Sequence, residues 1–260
     1  MPTITSHAHG TFCWPELGTT DGPAAKKFYG ALFGWEHRDN DMGSNGLYTI
    51  FKLGGRDVAS GYTLMQQLHA AGVPPHWAAY VAVDNADDAA AKATSLGGKI
   101  ITGPFDVMEF GRMAVISDPQ GAAFSVWQAK QHIGAGVLSE PGALGWTQLN
   151  AATPESAKPF YTGLFGWTYR DDPMPWGVYT TWLRSGEIAG GMLPMPPEVK
   201  APSHWLSYFV TKDVDRAHAQ AAALGAQTHV GPTDLPGGGR FAVLADPQGA
   251  AFGLMSAMPA

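Results

Sequence analysis

The chain has 260 residues and a formal net charge of −6, with 45% apolar and 15% charged residues, which is typical of a compact globular protein. The acidic balance argues against nucleic acid as the main partner, and no run of about 18 apolar residues predicts a membrane span. The start of the chain has no basic region followed by an apolar block, and Cys13 is the single cysteine, so we expect no signal peptide, no internal disulfide and a cytoplasmic location.

The first predicted element is a strand over residues 11–17. Because side chains alternate along a strand, Phe12, Trp14 and Glu16 are expected to share one face. Pro15 lacks the backbone N–H that a central strand uses, so this position predicts a sheet edge or a bulge.

A helix is predicted next, over residues 24–33. Asp21 precedes it as a candidate N-cap, and Gly34 follows it as a candidate left-handed C-terminal residue. Two short strands broken by glycine follow at residues 47–53 and 58–65.

The chain then restarts with the same order of elements. A strand is predicted over residues 76–83, a helix over 86–96, and a further strand after Gly111-Arg112. An Asp-Pro-Gln-Gly turn at Asp118 leads into the last strand. The pattern is a strand, a helix and three strands, used twice.

The whole arrangement occurs again in the second half of the chain. The run Asp-Pro-Gln-Gly-Ala-Ala-Phe that begins at Asp118 is repeated without change from Asp246, which indicates an internal duplication. The interpretation is two domains of about 130 residues, at 1–132 and 145–260, joined by a linker at 133–144. We interpret the repeated turn as structural, capped by its Asp.

These repeats resemble the vicinal oxygen chelate superfamily, which includes glyoxalase I, extradiol dioxygenases and bleomycin-resistance proteins. The resemblance rests on the residues from Lys27-Phe28-Tyr29 to Gly34-Trp35, on the Asp-Pro-Gln-Gly turns and on their second-half partners. The tandem layout also looks like the actinobacterial glyoxalase-like proteins of the 27 kDa antigen group. The implied fold is α+β, with four βαβββ modules paired into two cup-shaped domains, and pairing within or between chains stays open.

Metal-dependent relatives carry His or Glu at fixed positions of each module, and the resemblance lets these positions be located. In this chain they fall on residues that are neither His nor carboxylates: Trp14, Ser60–Tyr62, Ala78 and Ser125 in the first half, and Trp146, 190–192, Leu206 and Gly253 in the second. Since a divalent metal needs three or four such ligands, we expect no metal and no other cofactor.

Two ionisable residues are candidates for other chemistry at the rim of the first cup. Strand parity places Glu16 on the face of Trp14, and His76 on the face of Ala78, so the pair is a candidate acid–base couple. Their second-half partners are Gln148 and His204. The alternatives are a solvated carboxylate for Glu16 and a structural histidine that holds the proline-rich loop for His76.

A further set of residues is predicted to line the cups. Arg112 and Arg240 alternate with apolar residues that we expect to pack on the helices, so both Arg side chains are predicted to point into the cups. Their alternative is hydrogen bonding to loop carbonyls. Aromatic residues share this inward parity, and their alternative is a filled core: Trp14, Tyr80, Trp127, Trp146 and Tyr208.

These residues favour a metal-independent protein that binds a small aromatic or apolar organic molecule in a cup. A glyoxalase-like lyase, isomerase or hydrolase that uses Glu16 and His76 is the main alternative. A third is a vestigial fold that serves protein interaction. The partner predicted is a small molecule, with a monomer or a homodimer as the assembly.

Overall fold

Two eight-stranded mixed sheets, one from each half of the chain, form the fold in the computed structural model. The structure describes residues 4–174, 177–195, 199, 201–236 and 238–257, so the predicted outer domain limits at residues 1 and 260 lie outside it. In the described part, no helix is long and apolar enough to cross a membrane.

The first half contains, in chain order, these elements: β1 (Phe12–Thr19), α1 (Gly22–Phe33), β2 (Glu36–Asp41), β3 (Leu47–Leu53), β4 (Arg56–Thr63), α2 (Gln66–Ala70), β5 (His76–Ala82), α3 (Ala86–Ser95), β6 (Lys99–Val107), β7 (Gly111–Ser117) and β8 (Ala123–Ala129). Among its described residues, the second half contains β9 (Leu144–Ala151), α4 (Pro154–Phe165), β10 (Thr168–Met174), β11 (Gly177–Arg184), β12 (Glu187–Pro194), β13 (His204–Thr211), α5 (Val214–Ala223), β14 (Gln227–Asp234), β15 (Arg240–Ala245) and β16 (Ala251–Ser256). The strand orders match, at β2-β3-β4-β1-β5-β8-β7-β6 and β10-β11-β12-β9-β13-β16-β15-β14. The α+β prediction with βαβββ modules is confirmed, and modules pair within each half.

Local sequence signals set the ends of α1. The Asp21 side chain accepts a hydrogen bond from the Ala24 N–H, and Gly34 adopts φ 71°, the left-handed conformation that glycine tolerates best. Both predicted caps are confirmed.

Helices α1, α3, α4 and α5 lie between the two sheets and bury one face of each. One core joins α1 and the first sheet to α5 and the second sheet, and a second core joins α3 to α4 in the same way. The opposite face of each sheet carries no helix residue in its own apolar cluster. We call this opposite face the cup face.

The repeated turns lie in the interface between the halves. Asp118 Oδ1 accepts the N–H groups of Gln120 and Ala122, which closes its own turn. Its Oδ2 accepts the hydroxyl of Tyr161, which belongs to the other half and in turn accepts the Trp205 indole N–H.

The mirror arrangement runs from Trp77 through Tyr29 to Asp246. Each aspartate therefore shapes its own turn and also holds the helix of the other domain.

The pH dependence of stability provides a test of this buried arrangement. Burial raises the pKa of Asp118 and of Asp246. A raised folded-state pKa contributes stability below the unfolded pKa that is lost as the pH rises through the folded pKa. Asparagine does not titrate. As the pH rises from about 4 to about 7, we therefore expect the free energy of unfolding of the double variant Asp118→Asn/Asp246→Asn to increase relative to that of the native chain. Thermal unfolding at several pH values measures this difference in stability, and a difference that stays constant or decreases as the pH rises contradicts the raised pKa of the two aspartates.

Two sequence expectations for the first strand need correction. Phe12 does not share the face of Trp14, because the register shifts between these two residues, and Phe12 packs on Trp167 and Trp205 between the domains. Of the two alternatives predicted at Pro15, a sheet edge is wrong, since β1 lies between β4 and β5, whereas a bulge agrees with the register shift between Phe12 and Trp14. Pairing with β4 begins only at Glu16, so Pro15 is next to a single paired strand.

Candidate functional site

Aromatic side chains occupy the centre of the first cup face. Trp14 pairs with Tyr80 across β1 and β5, and Tyr80 pairs with Ser125 across β5 and β8. Trp14, Tyr80 and Trp127 belong to one buried cluster that also includes Met113. The predicted inward direction of these three aromatic residues agrees with this cluster, and their role in binding stays a prediction.

Glu16 lies in this aromatic setting with 9% of its surface exposed. Its Oε2 accepts the hydroxyls of Tyr48 at 2.6 Å and Ser60 at 3.1 Å, and its Oε1 accepts the hydroxyl of Tyr80 at 2.7 Å. The Trp14 indole N–H donates to Ser60 Oγ. Burial, and then the Glu16 carboxylate, raise the pKa of both Tyr48 and Tyr80. Both tyrosines therefore retain their hydroxyl protons and can donate them to Glu16.

The segment that follows β8 closes one end of the first cup. It runs between the starts of β1 and β4, where the Ala135 N–H donates to Cys13 O at 2.7 Å and the Gly136 N–H donates to Asp57 O at 2.8 Å. The His132 ring stands edge-on to Trp14 with centroids 4.8 Å apart. As a result, Trp14 is only 4% exposed.

The second cup repeats this plan with neutral groups. Trp146 pairs with Tyr208, and Gln148 lies in register with Gly191, where the first half has Glu16 and Ser60. The Trp146 indole N–H donates to the Tyr179 hydroxyl, which donates to Gln148 Oε1 at 3.3 Å. The Gln148 amide donates to the Tyr208 hydroxyl, also at 3.3 Å.

The end of the second cup next to Trp146 is open. A cavity of about 440 Å³ lies there, at the place that residues 132–137 fill in the first half. Its walls are largely apolar and come from both halves and the linker: Phe12, Leu138, Leu144, Trp146, Ile188 and Ala189. Polar groups enter from Thr11, Ser139, Thr147 and the Arg184–Glu187 ion pair. Trp146 is half-buried, unlike its counterpart Trp14.

Arg112 and Arg240 do not point into the cups, so this prediction was wrong. Arg112 forms a two-point ion pair with Asp87 at the start of α3, and Arg240 forms the same pair with Asp215 at the start of α5. The alternating apolar residues were assigned to the wrong face. Met113 lies in the cup cluster, while the neighbours of the arginines on the helix side are Ala and aliphatic residues.

His76 and His204 lie at the rims and contact the loops before their strands. His76 Nδ1 lies 2.8 Å from Pro74 O, and His204 Nδ1 lies 3.0 Å from Pro202 O. His76 pairs in register with Gly18, two residues beyond Glu16, and the hydrogen bonds of Glu16 go to hydroxyls instead. His204 Nε2 lies 3.0 Å from Asn150 Nδ2, and Asn150 Oδ1 accepts a hydrogen bond from the Gln148 amide.

The side chains at the cup centres do not fit a divalent metal. The first cup presents Trp14, Ser60, Tyr80 and Ser125 around one carboxylate, and the second presents indole, amide and phenol groups with glycine at 191 and 253. Among the described residues, no three His, Cys, Asp or Glu side chains are grouped closely enough to bind a metal. Three or four such ligands would be needed.

Comparison with known proteins places this geometry in a family. The model of the Glyoxalase/Bleomycin resistance protein/Dioxygenase superfamily matches residues 11–126 and 143–254. The chain belongs to this superfamily.

Relatives within the superfamily match nearly the whole chain. It is 40% identical to the "Putative glyoxylase CFP32" of Mycobacterium tuberculosis, covering all of this chain and 99% of that protein. It is 33% identical to the anthracycline biosynthesis protein DnrV of Streptomyces peucetius, over 97% of this chain and 95% of that one.

Solved structures support the fold at lower identity. The Mn(II)-bound glyoxalase from Novosphingobium aromaticivorans aligns with a TM-score of 0.67 at 17% identity, over 96% of this chain and 83% of its own. The 2,3-dioxygenase LapB from Pseudomonas sp. KL28 aligns with a TM-score of 0.66 at 14% identity, over 95% and 91%.

Several residues of these cups were not found from the sequence. Tyr48 and Tyr179 come from β3 and β11, and each bonds to another cup residue. His132 lies between β8 and the linker and covers Trp14. The strand alternation around Tyr48 and Tyr179 could have identified those two, whereas nothing local marks His132 as part of a cup.

Proposed function

We propose that the chain binds a small, flat and largely apolar organic molecule without a metal, and that the second domain is the binding half. The observation that carries this proposal is the cavity of about 440 Å³ beside the half-buried Trp146. Drug-sized ligands occupy clefts of about 300–1,000 Å³ that are lined by apolar and aromatic groups with a few polar points. The cavity has this size and this lining.

The ligand class follows from the walls and from one relative. An indole ring offers its face to a planar molecule, and Phe12, Leu144 and Ile188 offer apolar contact without fixed donors. DnrV is named as an anthracycline biosynthesis protein. A planar polycyclic aromatic compound is therefore the class that we propose.

A binding experiment with the full chain tests the site. We expect 1,4-dihydroxyanthraquinone to bind by isothermal titration calorimetry, and Trp146→Ala to weaken binding about tenfold or more, since loss of an aromatic stacking contact removes about 1–2 kcal/mol. Trp146→Phe should retain most of the affinity. Phe110→Ala removes an exposed aromatic ring of the first half and serves as the control.

Dialysis against EDTA should leave this affinity unchanged, because no ligand set for a metal takes part. A loss of binding after EDTA would overturn the metal-independent part of the proposal. Unchanged binding by Trp146→Ala, or no binding by the native chain, would overturn the proposed location or the ligand class.

An enzyme that uses Glu16 is the second candidate, and the three hydroxyls on its carboxylate favour it. Such a network can hold a carboxylate in place for proton transfer with Tyr80 or Tyr48 as the neighbouring proton carrier. We assign this role to a tyrosine in preference to His76, because Glu16 takes its hydrogen bonds from hydroxyls and His76 Nδ1 lies 2.8 Å from the Pro74 carbonyl oxygen. Turnover abolished by Glu16→Gln and retained by His76→Ala would support this candidate.

A further inference from the structure

The two cups differ by one charge at matching positions. Glu16 in the first cup is an acid, and Gln148 in the second is its neutral isostere. The hydrogen bonds around them are otherwise similar, since each side chain meets a tyrosine from the third strand of its domain and one from the fifth. Of these two matching positions, only the one in the first cup is acidic.

The Glu16 carboxylate is not neutralised by a basic side chain. Its hydrogen bonds come from Tyr48, Ser60 and Tyr80, and among the described residues no Lys, Arg or His forms an ion pair with it. Two carboxylate oxygens offer about four acceptor positions, and three are used. Buried charges in proteins are usually paired, so one acceptor position and one negative charge are left for a ligand.

Aromatic rings surround this charge. Glu16 accepts hydrogen bonds from Tyr48 and Tyr80, and its partner Ser60 accepts one from Trp14. Tyr62 lies two residues after Ser60 on β4. Burial, followed by the Glu16 charge, raises the pKa of Tyr62 to about 12. Aromatic faces carry negative electrostatic potential, which attracts an organic cation. The rings and the carboxylate thus favour the same sign of ligand charge.

The approach to Glu16 also differs from that in the second cup. Gly18 lies in register with His76, and a Cβ built on it would lie 3.1 Å from His76 Cε1 and 3.3 Å from the Tyr62 hydroxyl. The side-chain ends of Leu64, His76 and Tyr62 lie around Gly18 at this rim. The second half has Asn150 in place of Gly18, and Asn150 bonds to Gln148 and lies 3.0 Å from His204 Nε2.

We propose that the first cup binds organic molecules that carry a protonated amine, with the ammonium group on Glu16 among the aromatic rings. The entry lies between Tyr62 and His76. This site is separate from the cavity beside Trp146 and does not depend on its occupancy. It divides the two cups into one for organic cations and one for neutral planar molecules.

Titration of the full chain with benzylamine and with benzyl alcohol, its neutral analogue of similar size, tests this inference. We expect the amine to bind at least tenfold more tightly than the alcohol, and Glu16→Gln to abolish the preference. Trp146→Ala should leave the preference unchanged, which separates this site from the one proposed for the second domain. A crystal structure of the amine complex should place its nitrogen within hydrogen-bond distance of Glu16.

The reverse substitution guards against a variant that merely fails to fold. Gln148→Glu gives the second cup a matching carboxylate, and we expect it to raise the stoichiometry or the affinity of amine binding. An unchanged thermal midpoint of Glu16→Gln checks that this variant is folded. Equal binding of amine and alcohol, no amine binding at millimolar concentrations, or an amine preference that survives Glu16→Gln would each overturn the proposal.

Discussion

Replacing Asp246 by alanine is expected to lower the free energy of unfolding by about 3–5 kcal/mol, near the upper end for one substitution. The side chain is 3% exposed and accepts three hydrogen bonds, from the N–H groups of Gln248 and Ala250 and from the hydroxyl of Tyr29 in the other domain. Each buried donor that loses its acceptor costs about 1–3 kcal/mol. Thermal unfolding measures the effect.

Two controls separate the interface from a general loss of charge. Tyr29→Phe removes the cross-domain hydroxyl and keeps the turn, so we expect a smaller loss of about 1–2 kcal/mol. Asp215→Ala removes an exposed carboxylate that pairs with Arg240, and we expect a shift close to the error of the measurement. An Asp246→Ala variant no less stable than Asp215→Ala would contradict the role assigned to the repeated turn.

Replacing Gly134 by alanine is expected to release the linker segment from the first cup and to destabilise the chain by about 2–4 kcal/mol. Gly134 adopts φ 103°, and an added Cβ would lie 2.6 Å from Cys13 O, the acceptor of the Ala135 N–H. The backbone of residues 134–136 would have to move away from β1. Hydrogen exchange at residues 131–138 should accelerate at least tenfold.

Gly136→Ala is the matched control for this experiment. Its φ is not in the left-handed region, and an added Cβ would have its nearest neighbour at 3.6 Å, an ordinary contact with Arg56. We expect nearly native stability and exchange. If both variants behave alike, the linker is not held by the fit at Gly134, and the difference between the two cups needs another cause.

The domain interface is built alike from both halves, whereas the linker makes the two cups different. The interface aspartates are the same in both halves and hold the domains together. The linker occupies one cup end and leaves the matching end of the other open at Trp146. A duplication thus provides two similar frames, and a single connecting segment gives them different access.

The helices and strands could be predicted from the sequence because contacts between neighbouring residues determine where they begin and end. Asp21 and Gly34 fix the ends of α1 through contacts within a few residues, and the repeat from Asp118 to Asp246 fixes the order of modules. The absence of metal-binding residue types at the cup positions is likewise a property of the sequence. The cluster of Trp14, Tyr80 and Trp127 follows from alternation along their strands.

Alternation failed where both faces of a strand are buried. Met113 and Ala114 are both buried, one toward the cup and one toward the helices, so the apolar pattern of β7 does not reveal which face is which. For this reason, the side chain of Arg112 was assigned to the wrong face of β7. Phe12 was misplaced because a register shift separates it from Trp14, and Pro15 indicated an edge or a bulge without fixing its position.

The sequence by itself determined the modules, their order, the lack of a set of metal ligands and the single charge difference between Glu16 and Gln148. Only the tertiary structure decided the rest, because those features join residues that are far apart in the chain. Tyr29 reaches Asp246 across the domain interface, and His132, just before the linker, covers Trp14. Such contacts depend on how whole domains pack, and no local pattern of residues encodes that arrangement.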